Sequence, residues 1–586
     1  MNIYKKMKNI YFQMTILLLF VFVVNNLQNY VYAFPANATD LGLMIPIKYG
    51  KAIEKFEAGS DEKYYIIQDL HCQPTIQKNI YNIIKELKKT YKDELKKIYL
   101  EGSYEGKIET KILDKISDKD IKEKFVEYLF SKGYISGAEL YGIKHINSIE
   151  LEGIEDKKLY ENNFEVFYKA LSSKDELGWI FKDISKGLNI AKEHLYNERM
   201  KKFEIEVERY NRGEISLEKY LEIIKDIAKK IGIDINIYEN IKEILELSMI
   251  EEKANKLNIE IEAKHVIKKI YGLLTQEDKK ELENNKGIIE YYSRLDNILE
   301  NKKINISRNY KDLCGYIEYI KRLKEINDIG VYEEKIELED KIREKLLEGT
   351  ADGEELNISD RYLNLLERYL WNKASYKEVQ IYEGERKNYE RIKRFTNRLL
   401  RKKYLNDNEK EIIEAENNMA RFYELANKRS EVLVRNMSKN SNDSLKVMII
   451  GGYHIDKIKE SLKARGISYE IIMPNIMGEI RENIYIRRIK EQAQKLGIKN
   501  NKIIENEISV DTLMVSSIFQ NLRTEKNKMT IKELVEVVFY KLEEPEKESI
   551  YKEVSEYIGL KEENELPEEM RIQENEKVEK ENIENN

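Results

Sequence analysis

The placement of proline limits most strongly what this chain of 586 residues can fold into. All six prolines lie outside residues 75–473. Because proline breaks helix interiors, a proline-free stretch of that length favours helix. Apolar residues recur within it at helical spacing, as at Tyr316, Ile320 and Leu323. We therefore predict that residues 161–440 form an all-helical insertion.

Short apolar runs on both sides of this insertion predict buried strands, because each is rich in β-formers and is bounded by turn residues. The runs are Lys63 to His71 (KYYIIQDLH), Lys97 to Gly102 (KIYLEG), Ser148 to Glu155, Leu445 to His454 (LKVMIIGGYH) and Tyr469 to Met473. Helical patterns alternate with them. This alternation predicts an α/β fold, a parallel-rich sheet with helices on both faces, interrupted by the insertion.

The two ends of the chain carry different signals. Residues 1–33 combine basic residues, an apolar run (MTILLLFVFVV) and a small-residue cleavage site, the pattern of a secretory signal peptide. We expect an exported protein, periplasmic or extracellular, without a membrane span after cleavage. The alternative is an uncleaved N-terminal membrane anchor. Residues 561–586 are acidic and poor in apolar side chains, and we expect a disordered tail there.

The remaining boundaries follow from the strand and helix patterns. Residues 34–160 and 441–480 form the two parts of the α/β core, and residues 481–560 form C-terminal helices. The net charge is −6 and the sequence pI about 5.9. Lys and Glu are interspersed, so no basic footprint for nucleic acid is present and we expect no such partner. Two cysteines, Cys72 and Cys314, form no disulfide framework, and the sequence leaves open whether they pair.

Three of the predicted strands end in residues that carry chemistry. His71, Glu101 and His454 follow strands whose carboxyl ends share one sheet edge, where ligands gather in open α/β folds. Two imidazoles and a carboxylate suit a divalent ion such as Mn, Co or Zn, with an open position for water. These residues are therefore predicted as metal ligands, and Glu101 also as a catalytic residue.

Other residues near these strand ends are predicted to assist. Asp69 and Glu152 or Glu155 are candidates for a further ligand, a hydrogen-bonding orienter or a general base. Gly451 and Gly452 let the backbone approach a bound cofactor or substrate closely. Two alternatives stay open: a metal-free site in which His71 is the base and Glu101 orients it, and a structural role for both histidines.

These motifs resemble the superfamily of TIKI/TraB, erythromycin-esterase and ChaN-like proteins, in a branch with a large helical insertion. The second family motif, GxxH, matches Gly451-Gly452-Tyr453-His454, and the first matches Gln68-Asp69-Leu70-His71 without its usual glycine or glutamate. Glu101 in YLEG matches the acidic residue after the second strand. Arg429 in NKRS matches the family arginine, although the family asparagine is lost. The resemblance implies that Arg429 clamps a carboxylate or oxyanion during catalysis.

The resemblance and the motifs together predict an exported hydrolase that cleaves a peptide or ester bond in a peptide or small-molecule substrate. The alternative is a non-catalytic envelope protein, a scaffold or a haem-binding ChaN-like protein, with the insertion binding a protein partner. Haem is the less favoured cofactor. For the hydrolase, we expect the insertion to form a wall or lid over the strand ends.

Overall fold

The protein is described by a computed structural model for residues 45–46, 49–284, 288–326, 328–439, 443–475, 482–498, 517–519, 526 and 528–559. The predicted signal peptide (1–33) and the predicted acidic tail (561–586) lie outside the described residues. Among the helices that are described, none is long and apolar enough to cross a membrane.

The core is a single seven-stranded sheet. Its strands are β1 (Gly50–Phe56), β2 (Lys63–Asp69), β3 (Lys97–Tyr104), β4 (Gly106–Lys107), β5 (Glu150–Glu155), β6 (Leu445–Gly451) and β7 (Ser468–Pro474). They lie in the order β1-β7-β2-β6-β3-β5-β4. The five central strands run parallel, while β1 and β4 pair antiparallel at the two edges. The predicted α/β class with a parallel-rich sheet is confirmed.

Helices cover both faces of this sheet. Those outside the insertion are α1 (Pro74–Tyr91), α2 (Lys119–Ser131), α3 (Gly137–Lys144), α18 (Gly452–Ala464), α19 (Glu482–Lys495), α20 (Ile531–Val538) and α21 (Glu544–Ile558). On α1, proline occupies the first turn, where its missing N–H costs nothing. Its apolar face buries Ile76, Ile80 and Ile84 against one side of the sheet. On the other side, α18 buries Ile458 and Leu462.

All the secondary-structure elements described between β5 and β6 are helices. The α-helices are α4 (Lys157–Leu195), α5 (Glu198–Asn211), α6 (Leu217–Lys230), α7 (Glu239–Lys253), α8 (Lys256–Ile270), α9 (Gln276–Asn284), α10 (Ile288–Asn301), α11 (Lys311–Glu325), α12 (Asp328–Leu347), α13 (Ala351–Leu370), α14 (Tyr376–Glu385), α15 (Tyr389–Leu400), α16 (Tyr404–Asp407) and α17 (Glu409–Lys439). Most of their buried side chains share one hydrophobic core, which also includes Tyr453 of α18 and Tyr485 and Ile489 of α19. The side chain of Asp156 caps α4 by accepting from the Leu159 N–H, so the first helix begins directly after β5.

The register of β2 and β6 joins the two parts of the core. Lys63 aligns with Leu445 and Asp69 with Gly451, so both strands end at the same level. β6 lies between β2 and β3 and is buried along its whole length. A strand covered on both faces needs the continuous apolar run seen in its sequence. The sheet is therefore continuous despite the insertion. The strand order and register place residues near 70, 100 and 450 at one edge of the sheet.

Candidate active site

His71 lies two residues beyond the end of β2 and is held by Asp69. The His71 Nδ1 atom is 2.8 Å from Asp69 Oδ2, and both side chains are buried. The other carboxylate oxygen of Asp69 accepts from the Gln77 amide, whose own oxygen accepts from the Gly137 N–H at 2.7 Å. An ionised carboxylate only accepts, so His71 Nδ1 carries the hydrogen. In the neutral ring, the lone pair then lies on Nε2, where a general base needs it.

A cavity opens beside this pair at the carboxyl ends of β2 and β3. His71, Cys72, Glu101, Glu139 and Arg488 contribute to its wall. The ring of Tyr485, on α19, lies 6.3 Å from the His71 ring. No residue of the insertion is among those that line this cavity in the described part of the chain. Beyond the strand ends, its wall comes from residues within 133–139, from Ser517 and from Arg488 on α19. The insertion reaches the same edge of the sheet through Arg429, and its expected role as a wall or lid stays a prediction.

Glu101 lies inside β3 and has no exposed surface. Its Oε2 accepts from the Gly451 N–H at 2.6 Å, and its Oε1 accepts from Arg429 Nη2 at 2.9 Å. His454 Nε2 lies 3.2 Å from the same Oε1. Burial raises the pKa of Glu101, but the charges of His454 and Arg429 and the hydrogen-bond contact with His454 outweigh it and hold that pKa well below its usual range. Glu101 is thus a fixed anion and not a proton donor.

Arg429 lies on α17 and is fully buried. Besides Glu101, its guanidinium donates to both carboxylate oxygens of Glu155 and to Asn163 Oδ1 at 2.9 Å. Its Cζ also lies 5.3 Å from the centre of the Tyr160 ring. The guanidinium is therefore committed to two carboxylates of the protein. This differs from the expected role of clamping a substrate group, and makes Arg429 a positioning residue.

His454 lies in the first turn of α18 and contacts α17. Its Nδ1 is 2.8 Å from Ser430 Oγ, and that hydroxyl donates to the Ala426 carbonyl at 3.1 Å. Since the hydroxyl hydrogen is used on the carbonyl, Ser430 accepts from His454 Nδ1–H. The carboxylate of Glu101 lies against the other ring nitrogen, Nε2. His454 thereby links two helices to β3.

The predicted metal ligands His71, Glu101 and His454 do not fit a metal site. Within the described ranges, no group of three or more His, Cys, Asp or Glu side chains is arranged to hold an ion. Both oxygens of Glu101 accept from protein N–H groups, and one donor is the cation Arg429. The three residues do converge: His71 and Glu101 line one cavity, and His454 contacts Glu101. They converge as a hydrogen-bonded network and not as a ligand set.

The other predicted residues have mixed outcomes. The Gly451 N–H donates to Glu101 and Gly452 begins α18, and the close approach of both glycines to a ligand stays a prediction. Glu155 belongs to the site because it accepts from Arg429. Glu152 lies outside the site, where it accepts a hydrogen bond of 2.8 Å from Lys97. Cys72 and Cys314 are both free thiols. Burial raises the pKa of Cys72 to about 12, so this cavity residue is not a thiolate nucleophile.

Sequence reasoning missed Gln77, Asn163, Ser430, Tyr485 and Arg488. Ser430 directly follows Arg429 in the sequence, and this position next to a predicted site residue is a signal that could have identified it. Gln77 lies beside the apolar face of α1 and is almost fully buried, an unusual place for an amide. Tyr485 and Arg488 lie on a helix whose sequence carries no motif. Only their positions in space reveal them.

No family model matches this chain, and neither a curated protein nor a solved structure shows significant similarity to it.

Proposed function

We propose that this protein is an exported hydrolase of ester or peptide bonds in which His71 is the general base and Asp69 orients it. The observation that carries the proposal is the buried Asp69–His71 hydrogen bond of 2.8 Å in the wall of a cavity at the strand ends. Asp69 takes the orienting role that the metal-free hypothesis gave to Glu101. The resemblance to erythromycin esterases agrees with this chemistry.

The reaction would need no group beyond water. His71 Nε2 removes a proton from a water molecule while the water oxygen forms a bond to the substrate carbonyl carbon. Asp69 stabilises the resulting imidazolium through Nδ1–H. The bond from the carbonyl carbon to the leaving oxygen or nitrogen then breaks, and the imidazolium returns the proton to the leaving group. A base of this kind contributes roughly 10²–10⁴-fold to rate.

Glu101, Arg429 and Glu155 support this site without taking part in proton transfer. Two carboxylates share one guanidinium, with His454 as a further partner for Glu101. This network ties β3, β5, α17 and α18 together behind the cavity. It would keep the cavity wall rigid, as a catalytic geometry requires.

Hydrolysis of 4-nitrophenyl esters and of dye-labelled peptides by the purified full-length protein tests the proposal. We expect His71→Ala to lower kcat about 10²-fold or more. His194→Ala is the matched control, because His194 is exposed on α4. Exhaustive chelation should leave activity unchanged. Full activity in His71→Ala would contradict the proposal, and activity lost on chelation and restored by Mn, Co or Zn would favour the metal hypothesis instead.

A second candidate function is non-catalytic ligand binding, including haem binding. The observation that favours it is that Glu101, Arg429 and His454 make their contacts with the protein itself, as in a scaffold. Titration with haem separates the two cases. A Soret band that appears with the wild type and is lost in His71→Ala would support haem binding, and its absence with the wild type would exclude it.

A further inference from the structure

Helix α19 delivers an arginine to the cavity that holds His71. Tyr485 packs near the His71 ring, and Arg488 follows it by nearly one helical turn and lines the same cavity. Arg488 is 2% exposed, yet its Nε has no hydrogen-bond acceptor within the described part of the chain. A buried N–H is normally satisfied, so an arginine N–H left over beside a cavity points to a ligand.

Two arginines, Arg487 and Arg488, lie beside the carboxylate of Glu491. Arg488 Nη1 donates to Glu491 Oε2, and Arg487 Nε lies 3.8 Å from Glu491 Oε1. Two guanidiniums thus share one carboxylate. Both also lie over the ring of Tyr134, with Cζ at 4.6 Å for Arg488 and 5.1 Å for Arg487.

The acidic residues of the cavity already accept hydrogen bonds from donors of the protein. Asp69 accepts from His71 and Gln77. Glu139 accepts from the Ser136 N–H at 2.7 Å and from a serine hydroxyl. Glu101 is bound by Arg429 and a backbone N–H. Arg488 is therefore the cationic side chain that reaches this cavity with a donor to spare, among the residues the structure describes.

We infer that Arg488 binds an anionic group, a carboxylate or phosphate, of the molecule that enters the cavity. The planar guanidinium suits such oxygens, and the buried setting strengthens the pairing. The assignment of a substrate class rests on the proposed hydrolase function. The inference then assigns this class: acyl compounds that carry an anionic group near the carbonyl that the water activated by His71 attacks.

Direct binding tests the anion site without relying on activity. Succinate and inorganic phosphate are titrated separately into the full-length protein by calorimetry, and the stronger binder identifies which oxyanion the site takes. We expect Arg488→Gln to weaken binding about tenfold or more. Arg421→Gln removes the same charge from an exposed side chain on α17, and should change affinity by less than about threefold. Equal affinity in wild type and folded Arg488→Gln, or no binding of either anion, would overturn the inference.

Two further variants guard against misfolding as an explanation. Arg488→Lys keeps the positive charge but loses the planar guanidinium that can donate two parallel hydrogen bonds, and should bind with intermediate affinity. Glu491→Gln frees Arg488 from its internal partner, and should bind the anion more tightly. A damaged fold cannot produce a gain in affinity. Weaker or unchanged binding in folded Glu491→Gln would count against the inference.

Kinetics separate this inference from the proposed function. We expect Arg488→Gln to lower kcat/KM for 4-nitrophenyl hemisuccinate about tenfold more than it lowers kcat/KM for 4-nitrophenyl acetate. His71→Ala should lose hydrolysis of both esters but bind succinate like the wild type. Anion binding that depends on Arg488 in a protein without hydrolase activity would refute the hydrolase alone. Hydrolysis by His71 with no effect of Arg488 on the hemisuccinate would refute the anion site alone.

Discussion

The Arg429 guanidinium donates to the Glu101 carboxylate at 2.9 Å with neither side chain exposed, although 328 positions separate them in the chain. This contact joins the last helix of the insertion to a central strand of the sheet. Glu155, at the end of β5, completes the arrangement by accepting from the same guanidinium. The ion cluster therefore locks the insertion to the edge of the sheet where the candidate site lies.

Replacing Arg429 with methionine should destabilise the protein strongly. The change leaves Glu101 and Glu155 buried without their shared cation, and removal of one partner from a buried ion pair costs roughly 3–5 kcal/mol. Chemical denaturation measures the loss. Arg421→Met on the exposed face of the same helix is the control, and should change the free energy of unfolding by less than about 0.5 kcal/mol. A similar effect of both variants would show that the cluster does not stabilise the fold.

Replacing Asp69 with asparagine should lower activity while the protein stays folded. The amide keeps the size of the carboxylate, but it cannot stabilise the imidazolium of His71 by charge, so we expect kcat to fall about 10²-fold. Asp93→Asn, on an exposed turn, is the matched control. Circular dichroism checks the fold of both proteins. Unchanged turnover in Asp69→Asn would remove Asp69 from its orienting role.

Glu101 should make stability depend on pH in the acid range. Its pKa is held below the ordinary value of 4.5 in the folded protein, so the unfolded chain binds a proton there that the folded protein does not. Its contribution is therefore present above about pH 4.5 and is lost as pH falls towards the folded pKa. Unfolding curves measured across this window should show a shallower pH dependence for Glu101→Gln than for the wild type. Parallel curves would contradict the prediction.

A methyl group at Gly133 should disturb the packing of α19 on the site. An added Cβ would lie 2.7 Å from Ile484 Cγ2 and 3.1 Å from the Cys72 Cβ. Gly133→Ala should therefore cost about 1–3 kcal/mol for overpacking, in addition to the strain of its positive φ. Gly59→Ala is matched for φ (69° against 70°) and meets no atom within 4 Å. Equal losses of stability in the two variants would exclude a steric effect.

Cys72 should react slowly with alkylating reagents despite its place beside the cavity. With a pKa of about 12 in place of 9.0, its thiolate fraction at pH 8 is roughly 10³-fold smaller than that of an ordinary thiol. The variant Cys314→Ser isolates this thiol, and mass spectrometry after iodoacetamide treatment follows its labelling. Labelling as fast as that of free cysteine would show that the thiol is not desolvated.

Elementary rules predicted the sheet and the convergence of its ends from the sequence. The runs ending near His71, Glu101 and Gly451 are apolar and short, and strands of that kind pair in parallel beneath helices. Parallel strands present their carboxyl ends at one edge, so residues nearly four hundred positions apart could be placed together. The all-helical region followed from proline-free periodicity, which depends only on local geometry.

The tertiary structure alone decided which partners these residues take. Glu101 accepts from Arg429 and Gly451, and His71 pairs with Asp69. Hydrogen-bond partners depend on differences of less than an ångström in side-chain position, and hydrophobic patterning does not carry that information. Arg488 illustrates the same limit, because its helix has no motif and only packing of α19 against His71 brings it to the cavity.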